Sequence, residues 1–303
     1  MIYTVTLNPS IDCIVNVDNL IYGSTNRAVS QSFHFGGKGI NVSAVLSQLE
    51  IKSVALGFIA GFTGDAIKNE ISDKNITPDF IKLKNGCSRI NIKISSSKET
   101  EINAPGQAPD TEELKILMQK ISSIKDGDTL VLAGSVPKMM NDNIYAEILR
   151  TVSDKNIRTV VDASKTLLTN TLKYRPFLVK PNKQELSEIF NVEINDNSEI
   201  EKYALKLRNT GAQNVLVSLG KDGAMLVDEY GNIHTQGIVE GKTKFTVGAG
   251  DSMVAGFLAG YEKTADYKYA LDLASACGIA TAFSDTLAKK ENINSILNKL
   301  QKR

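Results

Sequence analysis

Short apolar runs and stretches of helical periodicity take turns along most of this chain. Residues 2–7, 53–59, 129–133, 158–162, 177–180 and 214–219 are apolar-rich runs of strand length. Between or after them, Ile40, Val42, Val45, Leu46 and Leu49 recur near helical spacing, and further helical stretches cover 65–74, 111–123, 141–154, 182–190 and 197–209. Repeated strand–helix alternation predicts a mostly parallel sheet covered by helices on both faces. From Asp251 to Leu300 the chain reads as mostly helical.

Two regions break the rhythm. Residues 12–35 and 87–103 read as strands of mixed polarity. Arg89, Asn91 and Lys93 alternate with Ile90, Ile92 and Ile94, so one face of that strand is polar and the other apolar. These segments predict a small β-sheet set apart from the main one, a lid. The expectation is a single domain over 1–303, with no repeat or low-complexity linker, whose lid is formed by about 12–35 and 87–103.

Composition narrows the ligands. The 35 Lys and Arg against 34 Asp and Glu leave a net charge of +1. The chain has no bulk field for nucleic acid or an anionic membrane, so local groups must hold any anion. Cys13, Cys87 and Cys277 are too few and too scattered for a disulfide framework; they read as core fillers in a reducing cytosol. His34 and His234 offer no zinc spacing and are assigned no chemistry. No window approaches a membrane span and no leader pattern opens the chain, so a soluble cytoplasmic protein is expected.

Four segments carry possible chemistry. In 246–260, TVGAGDSMVAGFLAG, Gly248, Ala249 and Gly250 lead into Asp251 and a helix. Glycines admit a ligand close to the backbone, and a helix start adds free N–H groups and the positive dipole end. That makes an anion hole with Asp251 placed to take a proton. Equally, Asp251 or Ser252 reads as a helix N-cap. The second segment, Gly36-Gly37-Lys38-Gly39-Ile40-Asn41, joins a polar strand to a helix; it suits a polar ligand or a plain turn. In the third, Lys180-Pro181-Asn182-Lys183-Gln184-Glu185, Asn182 and Glu185 share a helix face. They suit magnesium held through water or, better on local evidence, a capping box. The fourth, Ser218-Leu219-Gly220-Lys221-Asp222-Gly223, reads as a tight turn at the sheet's ligand-binding edge. Residues 237–243, GIVEGKT, fall one residue short of a phosphate-binding P-loop and read as a surface turn. The dinucleotide fingerprint and the eukaryotic-kinase set are absent.

Taken in order, these segments resemble the motifs of the ribokinase-like sugar kinases over essentially the whole chain. The opening Thr6-Leu7-Asn8-Pro9-Ser10-Ile11-Asp12 resembles the phosphofructokinase B branch, whose substrates are sugar phosphates. Residues 57–64, 89–93, 100–103 and 281–284 are most similar to branch members acting on fructose 1-phosphate, with those acting on tagatose 6-phosphate next. The resemblance implies a ribokinase-like three-layer α/β/α sandwich with a small β-sheet lid, and ATP-dependent phosphorylation of a sugar phosphate with Mg²⁺. Under it Asp251 is the general base, and Gly248, Ala249 and Gly250 form the anion hole. Asp12, Gly36, Gly37 and Asn41 bind the sugar, while Arg89, Lys38 and Arg27 hold its phosphate. Lys180, Asn182, Gly250 and the Ser218–Gly223 segment serve ATP, and Asn182 with Glu185 organises Mg²⁺. Glu101 stands where some members of the branch carry a second phosphate-binding arginine. A homodimer through the lid is expected, because paired lids cover open strand edges.

Overall fold

The computed structural model describes every residue except Phe245 and Arg303. In chain order its first elements are β1 (Ile2–Thr6), β2 (Ser10–Asn16), β3 (Ser30–Gly36), α1 (Lys38–Gln48), β4 (Ser53–Ala60) and α2 (Gly61–Glu70). Then come β5 (Ile76–Pro78), β6 (Ile81–Leu83), β7 (Arg89–Ser95), β8 (Thr100–Ile102), α3 (Thr111–Ser122), β9 (Thr129–Ala133), α4 (Ile144–Arg150) and β10 (Arg158–Asp162). The chain continues through α5 (Lys165–Thr169), β11 (Leu178–Val179), α6 (Lys183–Phe190), α7 (Asn197–Thr210), β12 (Asn214–Ser218), β13 (Ala224–Val227) and β14 (Ile233–Gln236). It closes with α8 (Ala249–Thr264), α9 (Tyr267–Ala282) and α10 (Lys290–Leu300).

The central sheet runs β14-β13-β12-β11-β10-β9-β1-β4-β5, with β6 beside β4. All its neighbours pair in parallel except β12–β13 and β13–β14 at one edge. Successive strand residues point to opposite faces, and both faces are buried. Val131 and Ala133 of β9 pack with Val45 of α1 and Val254 of α8, whereas Leu130 and Leu132 pack with Ile121 of α3 and Ile148 of α4. This two-sided burial is why the strands read as unbroken apolar runs, and it produces the expected three layers. The helix expected over 141–154 is shorter, because 151–155 forms turns. Among the described residues no helix is long and apolar enough to cross a membrane.

The second sheet has the order β3-β2-β7-β8. It occupies the two regions that break the alternation, although 17–29 is loop and not strand. Its polarity is turned inside out relative to an ordinary half-buried strand. Asn91 is buried, while Ile90 and Ile92, along with Phe33 and Ile102, are exposed. The cysteines also depart from expectation: Cys277 is buried in the core, but Cys13 is only half-buried and Cys87 is exposed.

Candidate active site

The two glycine-rich segments meet at Asp251. Gly248 caps α8 with φ 80°, and a Cβ there would lie 2.5 Å from Leu287, so this turn requires glycine. No side chain caps the helix. The Asp251 carboxylate accepts a 2.7 Å hydrogen bond from Asn41 Nδ2, and the Ser252 hydroxyl donates back to the Gly248 carbonyl. The N-cap explanation for Asp251 and Ser252 therefore fails. The Ala249 amide donates to the Thr246 carbonyl at 3.2 Å, which closes the turn. That amide is spent on the turn, a correction to the expected anion hole. No described residue accepts from the N–H groups of Gly248, Gly250 and Asp251.

Two ammonium groups converge beside this turn. Lys180 Nζ lies so close to Gly250 that a Cβ there would sit 2.9 Å from it. Lys38, on the first turn of α1, donates to Asp162 Oδ1 at 3.1 Å, and Lys180 Nζ is 3.6 Å from the same oxygen. Lys38 thus pairs with Asp162 next to the Gly248–Asp251 turn. Arg89, its expected partner in phosphate binding, is held elsewhere, with Nε donating to the Asn8 carbonyl. Asp162 ends β10 and is 0% exposed. Sequence reasoning did not single it out, since its only local signal was a carboxylate closing an apolar strand.

Burial and the neighbouring charge set the protonation of this cluster. Burial, reinforced by the negative Asp162, pushes Asp251 up to about 6, against the opposing pull of Lys38, Asn41 and Lys180. Burial would also raise Asp162, but Lys180 and Lys38 outweigh it and hold that carboxyl below its ordinary value. Burial would lower Lys38, and Asp162, Asp251 and Glu185 together outweigh that and raise it. Two carboxylates in one cluster are thereby driven apart, one firmly ionised and one poised near neutrality.

A cavity of about 400 Å³ opens on one side of the turn. Ala249, Gly250, Asn182, Ser218, Gly220, Lys221 and Gly223 line it, together with the apolar Val239, Met253, Ile279 and Phe283. Leu219 and Asp222 do not line it. Leu219 packs on the core, and the Asp222 amide closes the 220–222 turn onto the Leu219 carbonyl. Residues 237–243, expected to be a surface turn, are a mostly exposed loop, but Ile238, Val239, Gly241 and Thr243 also line this cavity, where Gly241 lies against the Phe283 ring. Sequence reasoning also missed Ser275. It is 4% exposed, lines this cavity from α9, and its hydroxyl has no partner among the described residues. Asn182 and Glu185 form the capping box, with reciprocal 2.8 Å bonds between each backbone N–H and the other side chain. Among the described residues no cluster of three acidic, histidine or cysteine ligands is present. Magnesium does not need one, because it keeps waters and binds through one or two carboxylates plus substrate phosphates. Glu185 retains one carboxylate oxygen outside the cap and fits that demand.

A second cavity, about 240 Å³, lies on the other side of the turn under the small sheet. Ser10, Asp12, Gly36, Gly37 and Asn41 line it, and so does His34, to which no chemistry was assigned. Strand register explains the grouping. Ser10 pairs with Arg89 and Gly36, and Asp12 with Asn91 and His34, so these side chains share one face. Asp12 accepts from Ser10 and Asn91 at 2.8 Å and lies 3.3 Å from Lys93, which also reaches Glu101 at 3.7 Å. Gly36 leaves room for Asn41, whose Oδ1 would be 2.6 Å from a Cβ there. Arg89 is half-buried, and no carboxylate pairs with it among the described residues. Burial lowers its pKa, and its remaining guanidinium donors suit an incoming phosphate. Arg27 is exposed on the 17–29 loop.

The model of the pfkB family of carbohydrate kinases matches residues 5–289. A curated 1-phosphofructokinase of Bacillus subtilis is 41% identical over 98% of this chain and 97% of its own length. A D-tagatose-1-phosphate kinase of Bacillus licheniformis is 35% identical over 99% of both chains. Among solved structures, Phosphofructokinase-2 from Escherichia coli in complex with substrates and products superposes with a TM-score of 0.92 at 29% identity, over 99% of both chains.

Proposed function

The chain belongs to the pfkB family of carbohydrate kinases, and on that premise we propose that it transfers the γ-phosphoryl group of ATP to fructose 1-phosphate, giving fructose 1,6-bisphosphate and ADP. The observation that carries this reading is the Asn41–Asp251 pair, a buried carboxylate between a cavity with apolar walls and a polar one. The apolar walls suit a nucleotide base. The polar cavity, with Asp12 and Asn41, suits sugar hydroxyls, and Arg89 and the exposed Arg27 serve the phosphate the sugar already carries.

In this mechanism Asp251 accepts the proton of the sugar's C6 hydroxyl as that oxygen bonds to the γ-phosphorus. The bond from the γ-phosphorus to the β–γ bridging oxygen breaks, and ADP leaves with the electron pair. The free amides of Gly248, Gly250 and Asp251 stabilise the charge on the transferring group, with Lys38 and Lys180 beside them. Glu185, with the Asn182 region, would hold Mg²⁺ against the substrate phosphates, where it would supply neutralisation of their charge. The small sheet acts as a lid that excludes water, so the sugar and not water receives the phosphoryl group. Its exposed Ile90, Ile92 and Ile102 favour a second copy of this chain as cover. Wild-type dimers in light scattering that become monomers in Ile90→Asp/Ile92→Asp would support that assembly, and a monomeric wild type would overturn it. The chain works in the cytoplasm on this reading.

A coupled ADP-release assay over fructose 1-phosphate, tagatose 1-phosphate, tagatose 6-phosphate, fructose 6-phosphate and fructose tests the assignment. Fructose 1-phosphate is expected to give the highest kcat/KM. Preference for a tagatose phosphate would reassign the substrate, and turnover of none would overturn the kinase reading.

A further inference from the structure

Asp162 sits at the carboxyl end of β10, beneath the cleft, and is completely enclosed. Such a carboxylate is costly unless its charge and lone pairs are satisfied. Oδ1 receives two cations, Lys38 from the start of α1 and Lys180 from the end of the β11 segment. Oδ2 has no hydrogen-bond partner among the described residues. The arrangement is therefore not a simple balanced ion pair. Two long, flexible side chains from distant parts of the sequence are drawn to one oxygen, and both ammonium groups end up beside the Gly248–Asp251 turn. Without a central anion, two like charges this close would repel each other into the open cleft.

We propose that Asp162 is a positioning residue for phosphoryl transfer: it gathers the Lys38 and Lys180 ammonium groups at the anion hole, where they meet the transferring phosphoryl group. The inference rests on the kinase function proposed above. Asp162 does not touch the substrate; it acts through the lysines. The other charged or titratable groups facing the cluster are Asp251 from α8, Glu185 from α6 and Tyr145 from α4. A preorganised cation contributes most where charge builds up in the transition state, so its loss falls on kcat more than on binding.

The test compares wild type, Asp162→Asn, Lys38→Met and the double variant with ATP and fructose 1-phosphate, each rate corrected for the folded fraction measured by circular dichroism. Asp162→Asn is expected to lower kcat about 100-fold while both KM values stay within about threefold. The double variant is expected to be no slower than the slower single variant, because both changes disable one device. The acid limb of the Asp162→Asn pH–rate profile is expected at lower pH, since a negative neighbour of Asp251 is gone. A purely structural Asp162 would reduce the folded fraction and leave kcat per folded molecule unchanged, and that result overturns the proposal. If Asp162→Asn does not fold, the double variant is compared with Lys38→Met alone. Equal kcat supports the proposal, and a further loss of more than about tenfold overturns it. A wild type inactive on every sugar phosphate overturns the kinase reading and this proposal with it. An active wild type with an unimpaired Asp162→Asn overturns this proposal alone.

Discussion

The two cavities flanking Asp251 are built by opposite strategies. The one on the α9 side has apolar walls of Val239, Met253, Ile279 and Phe283, relieved by the Ser275 hydroxyl and the amide-bearing turn. The one under the small sheet presents Ser10, Asp12, His34 and Asn41 beside Phe33 and Phe35, with Asp12 held by hydrogen bonds from Ser10 and Asn91 and an ion pair with Lys93. A flat base gains affinity from desolvated apolar area, whereas a sugar phosphate gains it from directed donors and fixed charge. The difference teaches why the turn between them must be shared. The phosphoryl group passes from one environment to the other, and the 246–250 segment borders both, with Thr246, Ala249 and Gly250 on the first cavity and Val247 on the second.

The strongest way to break this division is to remove what the cavities share. Asp251→Asn is expected to lower kcat at least about 1,000-fold while ADP binding in calorimetry stays within a few-fold. Turnover within tenfold of wild type would remove Asp251 from its role. A change on the polar side alone should be selective. Arg89→Ala is expected to raise KM for fructose 1-phosphate about 100-fold and leave KM for ATP within twofold; equal effects on both would show that Arg89 does not separate the cavities.

Acidity acts on the shared turn in a graded way. Asp251 must be ionised to accept the proton, and its pKa is raised to about 6. Thus kcat/KM should fall about tenfold per pH unit below about 6 and level off above it, and a profile flat to pH 5 would contradict the poised carboxylate. The smallest effect belongs to the apolar side. Other hydroxyls on helices here, such as Ser252 and Ser187, donate to the carbonyl four residues back, but the buried Ser275 hydroxyl does not. Ser275→Ala is expected to weaken ADP binding about fivefold without lowering the melting temperature of the ligand-free protein, because an unsatisfied buried hydroxyl contributes no folding bond to lose. A lower melting temperature with unchanged ADP affinity would make Ser275 structural.

Legibility in the sequence differed between the same two sides. The Gly36–Asn41 segment and the 246–260 segment were readable because a backbone that must approach a ligand needs consecutive glycines, which stand out. The apolar cavity was largely hidden. Met253, Ser275, Ile279 and Phe283 follow ordinary helical spacing, and a cavity wall and a core face have the same periodicity. Residues 237–243 were hidden for a related reason, since an irregular segment reads as a surface turn until something is seen to pack on it. Asp162 was hidden because one carboxylate at a strand end carries no pattern, and Ala249 was overcounted because a turn's own hydrogen bond does not show in residue types.

By itself the sequence determined the layers and the places where backbone would lie bare. Two-sided burial writes long apolar runs, amphipathic helices write a 3.6-residue period, and glycine marks close approach. Tertiary structure alone decided which charges meet. Asn41 and Asp251 are 210 positions apart, and Lys38 and Asp162 are 124 apart. Their pairing, and the burial and Asp162 charge that raise the Asp251 pKa, depend on how the helices seat on the sheet. Electrostatic energy depends on distance and burial in space, and neither quantity is written along the chain.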